Sequence, residues 1–271
     1  MTGPWRIYVG FWVLLGLIAT AHPSYANPMQ TCERPLTVRV SETYIPFSFK
    51  NELGAAAGKD VALISQIMAD LGCEVTFVFL PWKRALLELE QGHLDILPSA
   101  SITPERQVYA LFSQPYRNEV SGLVVRKEDE GRFLLQTIDD IILYDMKLGH
   151  VRGAYRGELF EQFQKLPGAP MQLTDVSISE IGFNLLLKKR IDGLVGIPAV
   201  TLAHAERMGI ADNLIAHSFI FGSDPIHLMY SRKSISQKLV DRINDVLTQA
   251  IGTSVYQDLY GLDALDAISE N

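Results

Sequence analysis

The chain has 271 residues, 48% of them hydrophobic and 20% charged, with 24 basic and 31 acidic side chains and a net charge of −7 at pH 7. This is globular composition, long enough for one large domain or two small lobes, and its acidic balance excludes a dedicated nucleic-acid surface. Beyond the N-terminal segment no stretch is apolar over 18 residues, so no later membrane span is expected.

The first 26 residues read as a secretory leader. "MTGPWR" supplies one cation, "IYVGFWVLLGLIAT" an uncharged apolar run of 14 residues, and "SYA" small residues at the −3 and −1 sites of a cut after Ala26. The run is shorter than the roughly 20 residues that span a bilayer, which favours cleavage over anchoring. Cys32 follows "PMQT", without the small residue expected before a lipidated cysteine. Losing Arg6 with the leader makes the chain one unit more negative, and its expected location is outside the cytoplasm. Cys32 and Cys73 each precede a β-rich run, "LTVRV" at 36–40 and "VTFVFL" at 75–80. Parallel pairing of those runs would bring the cysteines together, so a disulfide is expected.

After the first strand comes a loop at 41–59, then a helix over 60–71 with Val61, Ile64, Met68 and Leu71 on one face, stopped by Gly72. The strand at 75–80 leads through Pro81 into the helix "WKRALLELEQ", ended by Gly92, and then into the strand "LDILP". Strand, helix, strand, helix, strand implies an α/β unit with a parallel sheet and right-handed crossovers. Ligands of such sheets bind beyond the carboxyl ends of the strands, which are here the segments 44–47, 81–84 and 99–106. The last of these opens a helix at Thr103-Pro104-Glu105-Arg106, with Thr as N-cap and Pro at the first position. Arg106 stands at the end of the helix dipole that disfavours cations; a bound anion would relieve that conflict.

From 121 the chain runs through the strand "SGLVVRK" and the charged loop "EDEGR" into a second alternating unit. Its strands are "KLGHV", "MQLTDV" and "IDGLVGI", and its helices lie in "GAYRGELFEQF", "ISEIGFNLLLKK" and "PAVTLAHAERM". A strand at 225–233, "PIHLMYSRK", precedes a last long helix with Leu239, Ile243, Val246, Leu247 and Ala250 on one face. The order of elements leaves open which unit that helix joins. There is no GxSxG, P-loop or GxGxxG, and the histidines at 93, 150, 204, 217 and 227 lack HxxxH spacing. No cofactor and no structural metal are expected.

"GKDVALISQIMADLG" at 58–72, "LPWKRALLELEQGHLDIL" at 80–97, "SITPERQ" at 101–107 and "FSQPY" at 112–116 resemble, in order and spacing, the family 3 extracellular solute-binding proteins. The resemblance implies a two-lobe, periplasmic-binding-protein-like (type II) α/β fold, each lobe a mostly parallel sheet flanked by helices. Lobe 1 would comprise 27–122 plus 228–271 and lobe 2 would be 123–227, joined by hinge strands in "SGLVVRK" and "PIHLMYSRK". It also implies ligand contacts from Tyr44 and Trp82 as aromatic covers, from Ser99 and Ser101 as donors, and from Arg106 as clamp of a carboxylate. Lobe 2 would add donors from the turn at Gly153, Ala154 and Tyr155. The implied role is a monomeric, non-enzymatic receptor that captures a small carboxylate-bearing solute in the periplasm and delivers it to an ABC permease in the inner membrane. A dehydratase of the cyclohexadienyl type and a ligand-sensing module share the fold and are the alternatives.

One position departs from the family pattern. Amino-acid-binding members place an acid a few residues after the "RID" strand to pair with the ligand ammonium, and here the matching residue is Ile197. Glu42 and Asp224 are weak candidates to compensate. Arg84 is a candidate second cation or a helix-surface residue with equal weight; Tyr116 is expected to pack, and Asp192 to end a strand.

Overall fold

Leu36–Val40 (β1), with Val38 and Val40 fully buried, pairs in parallel with Val75–Phe79 (β5) on one side and with Ile96–Ala100 (β6), where Ile96 and Leu97 are fully buried, on the other, so three parallel strands form the sheet of the first half. The computed structural model describes residues 1, 3, 32–176 and 179–265; the expected leader and its cut after Ala26 lie outside the described residues. Between β1 and the next helix the chain forms a small antiparallel sheet of Thr43–Tyr44 (β2), Ser48–Lys50 (β3) and Ala56–Ala57 (β4), in a stretch whose Pro and Gly content reads as loop. The crossovers are Lys59–Asp70 (α1) and Trp82–Gln91 (α2), each close to its predicted bounds. Pro104–Tyr109 (α3), capped by the Thr103 hydroxyl, and Ala110–Phe112 (β7) complete this part.

Arg117–Arg126 (β8) carries the chain into the second half. There follow Asp139–Leu143 (α4), Leu148–His150 (β9), Glu158–Lys165 (α5), Ala169–Gln172 (α6), Leu173–Asp175 (β10), Ser179–Leu187 (α7), Gly193–Gly196 (β11) and Pro198–Arg207 (α8). Met171 and Gln172, predicted as strand, belong to α6, where Gln172 donates to Asp145. Leu214–Ser231 (β12) returns to the first half and is followed by Gln237–Ile251 (α9) and Ser254–Tyr260 (α10). Strand order is β10-β9-β11-β8-β12-β6-β1-β5, with β7 also on β12. β12 pairs with β8 from Leu214 to Ile226 and with β6 from His227 to Tyr230, so one strand is shared by the two halves.

Each half has its own core. Leu36, Val38, Ile64, Ile67 and Met68 pack with Val240, Ile243 and Leu247 of α9, so the last long helix joins the first half. Leu123, Leu148, Phe160, Phe163 and Phe221 fill one side of the second half, and Val176, Phe183, Leu186, Ile191 and Leu194 the other.

Cys32 and Cys73 form a disulfide with Cα atoms 5.2 Å apart across a sequence separation of 41. Closing a loop of that length contributes about 4 kcal/mol in the chain-entropy account. Cys73→Ser is therefore expected to lower the urea midpoint by an amount equivalent to about 4 kcal/mol, with the far-UV spectrum of the native state unchanged.

Candidate functional site

A cavity of about 310 Å³ lies where the carboxyl ends of the parallel strands of both halves face each other. Arg39 closes β1, Leu80 to Trp82 follow β5, and Ser99 and Ser101 sit at the end of β6; Val151 follows β9, Val176 follows β10, and Val195 to Ile197 end β11. This is the place where open α/β sheets offer backbone groups and helix N-termini to a ligand.

Arg106 is 5% exposed. The Thr103 hydroxyl accepts its backbone N–H at 3.3 Å, while its guanidinium donates to Ser101 O at 2.8 Å and to Gly153 O, from the opposite half, at 2.9 Å. Trp82 Nε1 donates to the same Gly153 oxygen at 3.0 Å. The two halves are thus closed on each other, tied through one carbonyl. Gly153 can present that oxygen because it adopts φ +77, a left-handed conformation that costs glycine little. Gly153 meets the facing half through its carbonyl, as an acceptor, while Ala154 and Tyr155 of the same turn line the cavity.

Trp82 stands between two cations, the Arg39 and Arg106 guanidinium carbons lying 5.5 and 5.4 Å from its ring centroid. Burial pulls the Arg39 guanidinium down to about 10 and also lowers Arg106, because each charge has left water. Arg156 lines the same cavity, and its buried Nε has no hydrogen-bond partner among the described residues. Among the described residues none of these three arginines forms an ion pair.

Beneath the cavity floor lies a buried charged network. Asp60 accepts from the Ser99 hydroxyl at 2.7 Å, the Tyr116 hydroxyl at 2.8 Å and, out of α10, the Tyr260 hydroxyl at 2.8 Å. Arg117 pairs with Asp60 at 3.3 Å and with Glu119 at 2.5 Å, and it lies 3.7 Å over the Phe47 ring. Burial alone would lower Arg117, but the two carboxylates outweigh it and hold the guanidinium well above its usual value. Tyr44 donates to Glu119 at 2.5 Å; burial and that neighbouring negative charge push its phenol up, so it remains a donor. The network also holds Ser99 at φ +60, sparsely populated for a residue with a side chain.

Tyr44, Trp82, Ser99, Ser101, Arg106, Ala154 and Tyr155 all border the cavity. Ile197 does so as well, at 6% exposure. Arg84 does not: it pairs with Glu88 one turn along α2 on the surface. Tyr116 is fully buried in the core, Asp192 pairs with Arg126 just before β11, and Asp224 lies outside the lining. Arg39, Glu119 and Arg156, together with an apolar wall from the second half and His204, were not read from the sequence as site residues. Arg39 occupies an ordinary alternating strand, and Val176, Phe183 and Val200 carry no signal that separates them from core.

A family model for bacterial extracellular solute-binding proteins, family 3, matches residues 36–261. The chain belongs to this family. The solute-binding protein is 33% identical over 107 residues to the cyclohexadienyl dehydratase of Pseudomonas aeruginosa, covering 39% of each chain. It is 28% identical over 147 residues to the L-cystine-binding protein TcyJ of Escherichia coli K12, covering 49% of this chain and 54% of that one. The matches thus span about two-fifths to about half the length of these relatives. An ancestral arginine-binding protein bound to glutamine has the same fold, with a TM-score of 0.72 at 24% identity, over 85% of this solute-binding protein and 99% of that chain.

Proposed function

We propose that this solute-binding protein captures a small carboxylate-bearing solute between its two halves in the periplasm and presents it to an ABC permease of the inner membrane. The observation that carries the reading is Arg106: its backbone is held by the helix cap and its buried guanidinium by two carbonyls, with no carboxylate among the described residues in an ion pair with it. A guanidinium offers parallel N–H donors that match a carboxylate, and desolvation in a closed cleft strengthens that match. Tyr44 and Trp82 cover the solute, Ser99 and Ser101 border it, and Ala154 and Tyr155 approach it from the other side. Gly153 acts through its carbonyl in holding the cleft shut.

The lobes of this reading are 27–122 plus 228–271 and 123–227, rotating about β8 and β12; the separate cores on either side of those strands support it. The leader is cleaved near Ala26 and the receptor works as a monomer. Amino-acid-binding relatives, including the L-cystine-binding protein of Escherichia coli, support import as the purpose of capture.

The match to a cyclohexadienyl dehydratase makes catalysis the second reading. Of the carboxylates that line the cavity, Glu119 is engaged by Arg117 and Tyr44, and Glu42 is exposed. The engagement of Glu119 speaks against a mobile proton carrier at the buried end of the cleft, and no turnover of prephenate or arogenate is expected. A thermal-shift screen of the mature chain against small carboxylates, amines and sugars tests the leading reading, since a ligand of the native state raises its stability. At least one carboxylate is expected to raise the midpoint; a response confined to solutes without an acid group would overturn it.

A further inference from the structure

Resting on the reading of the cleft as a carboxylate site, we infer that its solute is an apolar carboxylate without an ammonium group, such as a 2-oxo acid with a branched or aromatic body. The inference starts from the charges that face the cavity. Arg39, Arg106 and Arg156 contribute three guanidinium groups. The carboxylates are Glu42, which is exposed, and Glu119, whose Oε1 already takes both the Arg117 ion pair and the Tyr44 hydroxyl. The described interior of the cleft is therefore electropositive. A carboxylate balances it, whereas an ammonium would add a cation to a lining whose three guanidinium groups already outnumber its two carboxylates, the buried one of which is engaged by Arg117 and Tyr44, and would be desolvated at a loss.

The second half supplies an apolar wall. Val151, Val176, Phe183, Leu194, Ile197 and Val200 line the cavity on that side, and Val176, Phe183 and Leu194 belong at the same time to a hydrophobic core. The cavity is an extension of that core toward the cleft, and a wall of this kind receives hydrocarbon rather than charge. Ile197 stands at the end of β11, and a carboxylate there would be the natural partner of a ligand ammonium.

His204, 4% exposed, is the buried polar group of that wall whose Nδ1 has no partner among the described residues. Its ring lies 5.5 Å from Phe183, edge to face, and burial lowers its basicity so that the imidazole is neutral at pH 7. It therefore offers a hydrogen bond to a neutral substituent, not a counter-ion. Charge sits at the arginines, and the remaining cavity selects by shape and apolar contact.

Isothermal titration of the mature chain at pH 7 with matched pairs tests this: 4-methyl-2-oxopentanoate against L-leucine, and 3-phenylpyruvate against L-phenylalanine, with arginine, glutamine and cystine alongside. In at least one pair the oxo acid is expected to bind at least 10-fold more tightly than its amino acid, and more tightly than the three polar amino acids. Ile197→Asp should narrow or reverse that preference. The wild-type pairs decide the matter even if the variant does not fold. If in neither pair the oxo acid binds at least 10-fold more tightly than its amino acid, although one of the four binds, the inference is overturned, and the carboxylate reading survives provided Arg106→Ala abolishes that binding. If none of these acids binds, the inference is overturned, and the carboxylate reading falls with it when the thermal-shift response is confined to solutes without an acid group.

Discussion

Arg106→Ala is expected to weaken binding of the carboxylate solute by roughly 30-fold to more than 1,000-fold, the range seen when one partner of a buried charged pair is truncated. Three losses coincide in that variant. The forked donor for the carboxylate disappears, the charge that balances it goes, and Gly153 O loses one of the two donors that tie the halves together. Arg106→Lys separates these contributions, because a lysine keeps the charge without the planar fork and should recover part of the affinity. Calorimetric titration of wild type and both variants reads the order directly: wild type tightest, then Lys, then Ala. Unfolding midpoints in the absence of solute should differ little, since burial already disfavours the charged Arg106 in the closed cleft.

The second large effect falls on stability. Asp60→Ala should destabilise the native state by about 3–5 kcal/mol, because it leaves Arg117 buried with half of its compensating charge and strips three hydroxyls of their acceptor. Asp60 is itself completely buried, and its partners come from β6, β8 and α10, so the loss is felt across the first half. Urea unfolding at pH 7, where the linear extrapolation gives the free-energy difference, measures it. Asp60→Asn removes the charge and replaces one of the two accepting oxygens by an NH2 donor, so it keeps an acceptor for only part of the hydroxyl set; it should fall between wild type and Ala. Because Ser99 is held at φ +60 by the same carboxylate, both variants should also bind solute more weakly.

The fold was legible where periodicity and punctuation agree. The helices at 59–70, 82–91 and 237–251 and the parallel strands between them follow from apolar spacing ended by Gly or bounded by Pro. The long shared strand was legible only in its last third. β12 begins at Leu214, eleven residues before the predicted start, because Gly222, Asp224 and Pro225 read locally as breakers and only pairing with β8 holds the segment extended. β8 likewise starts at Arg117, in a polar stretch whose charges are neutralised by Asp60 and by each other.

The site divides in the same way. Arg106 declared itself as a cation at the wrong end of a helix, and Tyr44, Trp82 and the serines fell at strand ends. Asp60 looked like a favourable acid in the first turn of a helix; its deeper role depends on Tyr116, Arg117 and Tyr260, which no local pattern links to it. The apolar wall was invisible because a valine facing a cavity and a valine facing a core are the same letter.

The central claim is that the cleft recognises an acid group through its unpaired arginines. The most direct measurement is the dissociation constant of the tightest-binding acid found in the screen, set beside that of its own primary amide, on the wild-type protein at pH 7 and fixed ionic strength. The two differ in little but the negative charge. The amide should bind at least 100-fold more weakly or give no heat; equal affinity for acid and amide would contradict the account.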